Sequence, residues 1–183
     1  MGQIIDGKAV SAKVKEEIRL ETQKLKEQGV EIGLAVVIVG DDPASQVYVR
    51  NKEKACETVG FNSFKYALPA ETTEEELLDL VKKLNDDDRV DGILVQLPLP
   101  EHIDEDAIIE AISPEKDVDA FHPVSVGRLS AGKPVLLPCT PAGIMEMLRA
   151  YEIPVEGRVC TVVGRSNIVG KPMAMMLLRA NGT

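Results

Sequence analysis

Short apolar runs alternate with amphipathic stretches along this chain, and no other feature limits the fold as much. Residues 34–39 are an uninterrupted run rich in Val and Ile, typical of a strand buried on both faces, and residues 92–97 are predicted as another buried strand. Residues 8–28 place apolar side chains three and four apart, which indicates a helix that Gly29 ends. Strands that alternate with helices predict βαβ units, and therefore an α/β protein with a parallel sheet.

Turn and capping residues set the ends of the other predicted elements. Gly60 ends a helix over residues 45–59, and Thr73 with Glu76 forms a capping box that opens the next helix. Residues 113–140 are rich in Pro, Gly and polar side chains, so we expect a long functional loop there. The remaining predictions are strands over residues 64–68 and 158–163, helices over 73–85, 104–112 and 141–151, and a last helix towards Ala180.

Charge and composition exclude several classes of function. The 183 residues carry 30 acidic and 21 basic side chains, and the net charge of −9 disfavours nucleic acid or an anionic membrane as a partner. The longest apolar run is far too short to span a membrane. The three cysteines form no CxxC pair and the two histidines lack ligand spacing, so we expect no metal and a reduced, cytoplasmic protein.

The first candidate site is the pair Tyr48 and Lys52. The two residues lie four apart on the predicted second helix, so both project from one face, whereas Lys54 lies on another. A tyrosine and a lysine together can position a ring and transfer a proton. The alternative interpretation is a solvated lysine beside a tyrosine that only packs its ring.

The second candidate is Gln96, which lies at the end of a predicted buried strand. An amide there must find hydrogen-bond partners, and open α/β sheets bind ligands at the carboxyl ends of their strands. Leu97 and Pro98 follow, and the prolines make the exit from the strand rigid. The alternative is that the Gln96 amide only satisfies neighbouring backbone groups.

The third candidate is the acidic pair Asp117 and Asp119. Two carboxylates at this spacing can coordinate a cation, cap a turn, or accept two parallel hydrogen bonds from the edge of a flat, guanidine-like ring. Local sequence alone leaves these three possibilities open.

The fourth candidate is the glycine-bounded loop between the predicted strand 158–163 and the last helix. A strand, such a loop and a helix start together form the setting that binds a dinucleotide pyrophosphate. The spacing is GxSxxxG over Gly164–Gly170, which meets the GxGxxG fingerprint only in part, so a plain βα turn remains the alternative. Arg165 and Ser166 could reach phosphate oxygens, and an arginine favours the 2′-phosphate of NADP over NAD.

These segments together resemble the bifunctional methylenetetrahydrofolate dehydrogenase/methenyltetrahydrofolate cyclohydrolase family. The similarity covers essentially the whole chain, and the matching stretches are residues 45–54, 91–100, 114–119, 137–143 and 163–172. The resemblance implies NADP-dependent oxidation of 5,10-methylenetetrahydrofolate and hydrolysis of the methenyl product to 10-formyltetrahydrofolate. It also implies a homodimer, with both activities in one cleft between domains.

The resemblance also implies a role for each site residue. Lys52 would be the main catalytic group, chiefly for hydrolysis, with Tyr48 lining the folate ring and Gln96 hydrogen-bonding Lys52. Asp119 would accept from the pterin edge, and Leu97 and Pro98 would line the substrate site. The residues implied in cofactor binding are Thr140 and Gly143 on the nicotinamide side, and Gly164, Arg165, Ser166 and Gly170 at the NADP phosphates.

Two departures from the family pattern affect these expectations. Ala120 stands where the family usually has Gly, so a positive φ there would cost about 1 kcal/mol and could shift Asp119. Family members also continue beyond Thr183, so we assign residues 1–150 to a folate-binding domain and residues 151–183 to the first βα unit of an incomplete Rossmann-type domain. Weak NADP binding and a tendency to associate would follow.

Two other functions stay open at this point. One is an amino-acid or shikimate-type dehydrogenase with a similar two-domain plan, which would lack the Tyr48, Lys52 and Gln96 set. The other is a folate-binding or interaction fragment without turnover.

Overall fold

The computed structural model of the chain describes residues 2–183, and it has the alternating order that the sequence predicts. The elements in chain order are α1 Gly7–Glu27, β1 Gly33–Val39, α2 Pro43–Val59, β2 Asn62–Leu68, α3 Glu74–Asn85, β3 Gly92–Val95, α4 Glu105–Ala111, α5 Pro123–Ser130, α6 Cys139–Ala150 and α7 Gly170–Arg179. The α/β class is confirmed, and the predicted ends of most elements lie within two residues of the observed ones.

The three strands form a parallel sheet in the order β2-β1-β3. The central strand β1 is buried on both faces: Ala35, Val37 and Val39 face the core that α3 and α4 cover, and Val36 and Ile38 point to the other face. Because both faces of β1 are apolar, the sequence shows an uninterrupted run rather than an alternating one.

Side chains and one glycine fix the ends of the helices that flank the sheet. The Asp42 carboxylate accepts the Ser45 N–H at 2.7 Å at the start of α2, and Gly60 ends that helix with φ 86°. A left-handed residue at this position favours glycine, which has no Cβ to clash. The predicted capping box of α3 is confirmed, since Thr73 and Glu76 each accept the other's backbone N–H.

The chain divides into two compact units. One is Val14–Asp117, which holds the sheet with α2, α3 and α4. The other combines residues 2–13 with Val118–Thr183 and holds α5, α6 and α7. The predicted assignment of residues 1–150 to folate and 151–183 to the cofactor is a functional division and stays a prediction.

The long loop predicted over residues 113–140 is wrong in part, because it contains α5. The helix begins with Pro123 at its first position, and the His122 ring accepts the Val124 N–H at 3.0 Å. Gly, Ser and Val are weak helix formers, so propensity gave no signal here. Burial of Ser125 and Leu129, four residues apart, stabilises the helix instead.

The strand predicted over residues 158–163 is also wrong, because the structure shows no strand there. A strand needs a neighbour along its length. The backbone hydrogen bonds of this segment join it to Thr183, at 2.7 Å from Cys160 and 2.8 Å to Arg158, and to the nearby Val155, at 3.0 Å from Arg158. Val159 and Val163 are 86% and 98% exposed. The apolar pattern is therefore present without the pairing that it predicts.

Within residues 2–183, no helix is long and apolar enough to cross a membrane. No cluster of three or more His, Cys, Asp or Glu side chains in the same residues is arranged to hold a metal ion.

Candidate functional site

Helix α2 positions the first two candidate residues. Val49, Cys56 and Val59 form its buried face, and burial raises the pKa of the Cys56 thiol. Lys52 is half-buried beside that face, and its Nζ lies 5.8 Å from the centroid of the Tyr48 ring. This separation is within the range of a cation–π contact, so Tyr48 and Lys52 lie together on one side of α2.

Gln96 immediately follows β3 and meets Lys52 from the sheet. Its backbone N–H donates to Val37 at 2.8 Å, which continues the ladder of the sheet by one residue. Its side-chain Oε1 accepts from Lys52 Nζ at 3.0 Å, and its Nε2 donates to the Leu97 carbonyl at 2.6 Å. Only this orientation of the amide satisfies both neighbours, because an ammonium needs an acceptor and a carbonyl needs a donor.

The Lys52 ammonium lies against two uncharged groups. Among residues 2–183, its contacts are the Gln96 amide oxygen and the Tyr48 ring face, while the adjacent Glu53 carboxylate pairs with Lys65 at 3.1 Å. An ammonium carries three N–H donors, and one of them is used by Gln96. The other two can donate to a substrate or to a water, which suits proton transfer at the carboxyl end of the sheet.

The two aspartates of the third candidate have different surroundings. Asp117 is 3% exposed and forms a backbone bridge with Ile93, so it belongs to the sheet edge. Lys116 fixes this segment by donating to the carbonyls of Leu84 and Asp87 at 3.2 and 2.9 Å. Asp119 is half-buried in the other compact unit. A shared cation site for the two carboxylates gains no support from this arrangement.

Ala120, which stands where the family usually has Gly, follows Asp119 and adopts a positive φ. Its φ is 56° and it is 2% exposed. The left-handed region is unfavourable for a residue with a Cβ, so the backbone after Asp119 is held in a conformation that suits glycine.

The glycine-bounded loop is closed by the side chain of Ser166. Its Oγ accepts the N–H groups of Val169 and Gly170 at 3.2 and 3.1 Å, and its carbonyl accepts the Lys171 N–H at 3.0 Å. Three amides at the start of α7 are therefore taken by the protein itself. Two accepted bonds fill both lone pairs of the hydroxyl, so its hydrogen points away and can donate to a phosphate oxygen.

Gly170 is required by close packing within the loop. A Cβ there would lie 2.6 Å from the carbonyl carbon and oxygen of Gly164, closer than side chains approach backbone. Arg165 and Ser166 are exposed, beside the positive end of the α7 dipole. The loop thus fits the phosphates of a dinucleotide through one guanidinium, one hydroxyl and the helix dipole.

Thr140 and Gly143 lie three residues apart in the first turns of α6. Both are exposed, and no heavy atom lies within 4 Å of the place where a Cβ of Gly143 would be. This stretch of the helix is therefore exposed.

Glu105 is a residue that sequence reasoning missed. Its Oε1 accepts the Leu99 N–H at 3.0 Å, directly beyond the Leu97-Pro98 bond, which is cis. In the sequence Glu105 follows the helix cap Asp104 and is indistinguishable from an ordinary acidic residue of a first turn.

The fold and these sites define an α/β protein with a lysine–amide centre at the end of a parallel sheet and a phosphate-type loop before a helix. The family profile described as "Tetrahydrofolate dehydrogenase/cyclohydrolase, catalytic domain" matches residues 5–119. The profile described as the NAD(P)-binding domain of the same enzymes matches residues 138–183. The chain therefore belongs to the tetrahydrofolate dehydrogenase/cyclohydrolase family, and the amino-acid and shikimate-type dehydrogenases are set aside.

Individual relatives agree with the family profiles. The bifunctional protein FolD of Acetivibrio thermocellus is 60% identical over 181 residues, which are 99% of this chain and 64% of that protein. The crystal structure of the FolD methylenetetrahydrofolate dehydrogenase/cyclohydrolase of Campylobacter jejuni superposes with a TM-score of 0.95 at 55% identity, over 99% of this chain and 64% of that one.

A third relative has a structure with cofactor. The Trypanosoma brucei enzyme, complexed with NADP and an inhibitor, has a TM-score of 0.94 at 40% identity, over 100% of this chain and 63% of that one. The chain thus spans about two thirds of the length of the relatives that it matches.

Proposed function

We propose that this chain carries the folate-side chemistry of a methylenetetrahydrofolate dehydrogenase/methenyltetrahydrofolate cyclohydrolase. The observation that carries the proposal is the hydrogen bond of Lys52 to Gln96 at the carboxyl end of the sheet, in a chain of this family. The Campylobacter jejuni and Trypanosoma brucei relatives are named as enzymes with these two activities.

Hydrolysis of the methenyl compound gives Lys52 its main role. Water adds to the methenyl carbon and its oxygen loses both protons: one is released, and the other is balanced by the proton that the ring nitrogen gains as its bond to that carbon breaks. The half-buried Lys52 transfers the proton, because two of its N–H donors are not used by Gln96. Gln96 holds the ammonium in place through a neutral contact, which leaves its charge available to the reacting atoms.

The remaining substrate contacts are part of the same proposal. The Tyr48 ring is 61% exposed on the side of Lys52, and we assign it to packing against the folate ring system. Leu97 and Pro98 continue this surface beyond Gln96. The Asp119 carboxylate accepts two hydrogen bonds from the pterin edge, which presents the flat pair of donors that a carboxylate binds best.

NADP is the proposed cofactor, and when bound it supplies the hydride acceptor for the oxidation. Arg165 and Ser166 hold its phosphates, with Gly164 and Gly170 allowing the close turn of the loop. The Arg165 guanidinium favours the 2′-phosphate, and therefore NADP over NAD. Thr140 and Gly143 lie on the nicotinamide side. Hydride transfer between two carbons depends on positioning more than on a proton-transfer group.

We further propose a cytoplasmic homodimer. Support for the compartment comes from three free cysteines and from bacterial relatives, and support for the dimer comes from family membership alone.

Replacement of Lys52 by Met tests the proposed function, with Lys54→Met as the matched control on another face of α2. We expect Lys52→Met to slow hydrolysis of the methenyl compound by at least about 10²-fold, because proton-transfer groups contribute on that scale. The oxidation, assayed separately, should lose less, and Lys54→Met should leave both rates unchanged. Unchanged hydrolysis in Lys52→Met would overturn the assignment.

A further inference from the structure

The turn that follows Gln96 is held by one carboxylate from the next helix. Leu99, 8% exposed, donates its backbone N–H to Glu105 Oε1 at 3.0 Å, and Glu105 is half-buried in the first turn of α4. Further along, the Asp104 N–H donates to Glu74 Oε2 at 2.7 Å. The Glu105 carboxylate therefore holds the turn itself, and Glu74 holds the end of the segment that leads from the turn to α4.

Three hydrogen bonds, joined by the backbone of residues 97–99, lead from Glu105 to the ammonium of Lys52. The Leu99 N–H is two residues beyond the Leu97 carbonyl, and that carbonyl accepts Gln96 Nε2 at 2.6 Å. The other end of the same amide accepts Lys52 Nζ at 3.0 Å. If the Leu97 carbonyl turns away, Nε2 loses its acceptor, and the amide no longer has a fixed orientation towards Lys52.

We propose that Glu105 is a positioning residue that orients the Gln96 amide towards Lys52 through the turn at Leu97–Leu99. The hydrogen bonds of Glu105, Gln96 and Lys52 support the positioning role, and the effect on hydrolysis rests on the proposed function of Lys52. A shift of about 1 Å in a group that positions a reacting atom is enough to lower a rate severalfold to a hundredfold.

Glu105 has a second feature that must be separated from this role. As an acidic residue in the first turn of α4, it also interacts favourably with the helix dipole. Two substitutions divide these features. Glu105→Gln keeps an oxygen at the right reach and removes the charge, whereas Glu105→Asp keeps the charge and withdraws the oxygen by one methylene.

The test compares these variants with Glu110→Gln, an exposed glutamate of the same helix, as the matched control. Two quantities are measured: the NMR signals of the Gln96 side-chain amide in ¹⁵N-labelled protein, and the rate of methenyltetrahydrofolate hydrolysis. We expect Glu105→Gln and Glu110→Gln to match the unaltered chain in both. Glu105→Asp should shift the Gln96 amide signals towards those of a free glutamine and slow hydrolysis about tenfold.

The opposite ranking, with Glu105→Asp unaltered and Glu105→Gln impaired, would assign Glu105 to the helix dipole and overturn the proposal. So would unaltered Gln96 signals in both variants. A Glu105→Asp variant that does not fold would also count against it, since the contact would then hold the fold rather than one turn. Normal hydrolysis by Lys52→Met would overturn the proposed function instead, and the Gln96 signals would still decide the role of Glu105.

Discussion

Lys52 and Gln96 lie 44 positions apart in the chain, and the fold brings them together because α2 packs on β1 and Gln96 leaves the sheet one residue after β3. The sequence marked both as candidates, Lys52 because it lies four residues from a tyrosine, which is a common spacing, and Gln96 because an amide at the end of a buried strand is unusual. The orientation of the amide was beyond prediction, because it depends on the Leu97 carbonyl and on Glu105.

Ala120 carries a prediction at the residue scale. Its φ of 56° suits glycine, but its methyl group is buried, so Ala120→Gly gains about 1–2 kcal/mol from relief of strain and loses a similar amount through lost burial and a more flexible unfolded chain. We expect Gly to change the free energy of unfolding by less than about 1 kcal/mol. Val should lower it by about 2–4 kcal/mol, because a β-branched side chain is both strained and overpacked there.

Urea denaturation of both Ala120 variants measures these changes. A Val variant as stable as the unaltered chain would show that the backbone after Asp119 is free to leave the left-handed region.

Among the helices and strands, those with a clear local signal in the sequence were predicted correctly, and α5, which depends on burial, was not. Helix α3 was predicted because its capping box and acidic first turn are local signals. Helix α5 was missed because burial of Ser125 and Leu129, which sequence propensity does not show, stabilises it. Residues 158–163 were wrongly predicted as a strand because the apolar run is visible in the local sequence. The pairing with a neighbouring strand, which a strand also needs, is not visible there.

Helix α7 gives a prediction at this scale. Ser166 Oγ accepts two N–H groups at the start of the helix, so Ser166→Ala leaves both without that acceptor. We expect the free energy of unfolding to fall by about 1 kcal/mol, the usual net contribution of such hydrogen bonds, while Ser166→Thr retains most of it. Denaturant titration monitored by circular dichroism measures the loss. Equal stability of the Ala and Thr variants would contradict this role of the Ser166 hydroxyl.

For the whole molecule, the alternating pattern of the sequence was enough to predict the class and the parallel sheet, because β1 is buried on both faces. The division into compact units was not visible, since the unit that holds α5, α6 and α7 also includes residues 2–13. There the Tyr151 hydroxyl accepts the Asp6 N–H at 2.7 Å, across 145 positions. Contacts of such long range leave no trace in local sequence.

Carboxyl groups with lowered pKa values predict how the stability of the molecule depends on pH. The Arg89 guanidinium, helped by the Arg89 backbone N–H, lowers the pKa of Asp87 from 3.8 to about 2. The pKa of Glu146 is lowered by Arg149 and that of Glu76 by the Thr73 N–H. A carboxyl whose folded pKa is depressed stabilises the fold above its unfolded pKa, and this is lost as pH falls through the folded value.

We therefore expect the urea midpoint to fall as the pH drops from about 4 to about 2, the interval between the two values for Asp87. Asp87→Asn should show a smaller decrease over this interval, and Asp88→Asn, at an exposed neighbouring position, should follow the unaltered chain. A decrease of the same size in all three proteins would show that the Asp87–Arg89 pair does not contribute.

The central claim is that Lys52 and Gln96 act as one unit in hydrolysis, and a double-mutant cycle tests it most directly. The measured quantity is the rate of methenyltetrahydrofolate hydrolysis by Lys52→Met, Gln96→Leu and the double variant. Because Gln96 acts through Lys52, we predict that the double variant is no slower than Lys52→Met alone, with Gln96→Leu intermediate. Independent effects that multiply in the double variant, or a normal rate in Lys52→Met, would contradict the account.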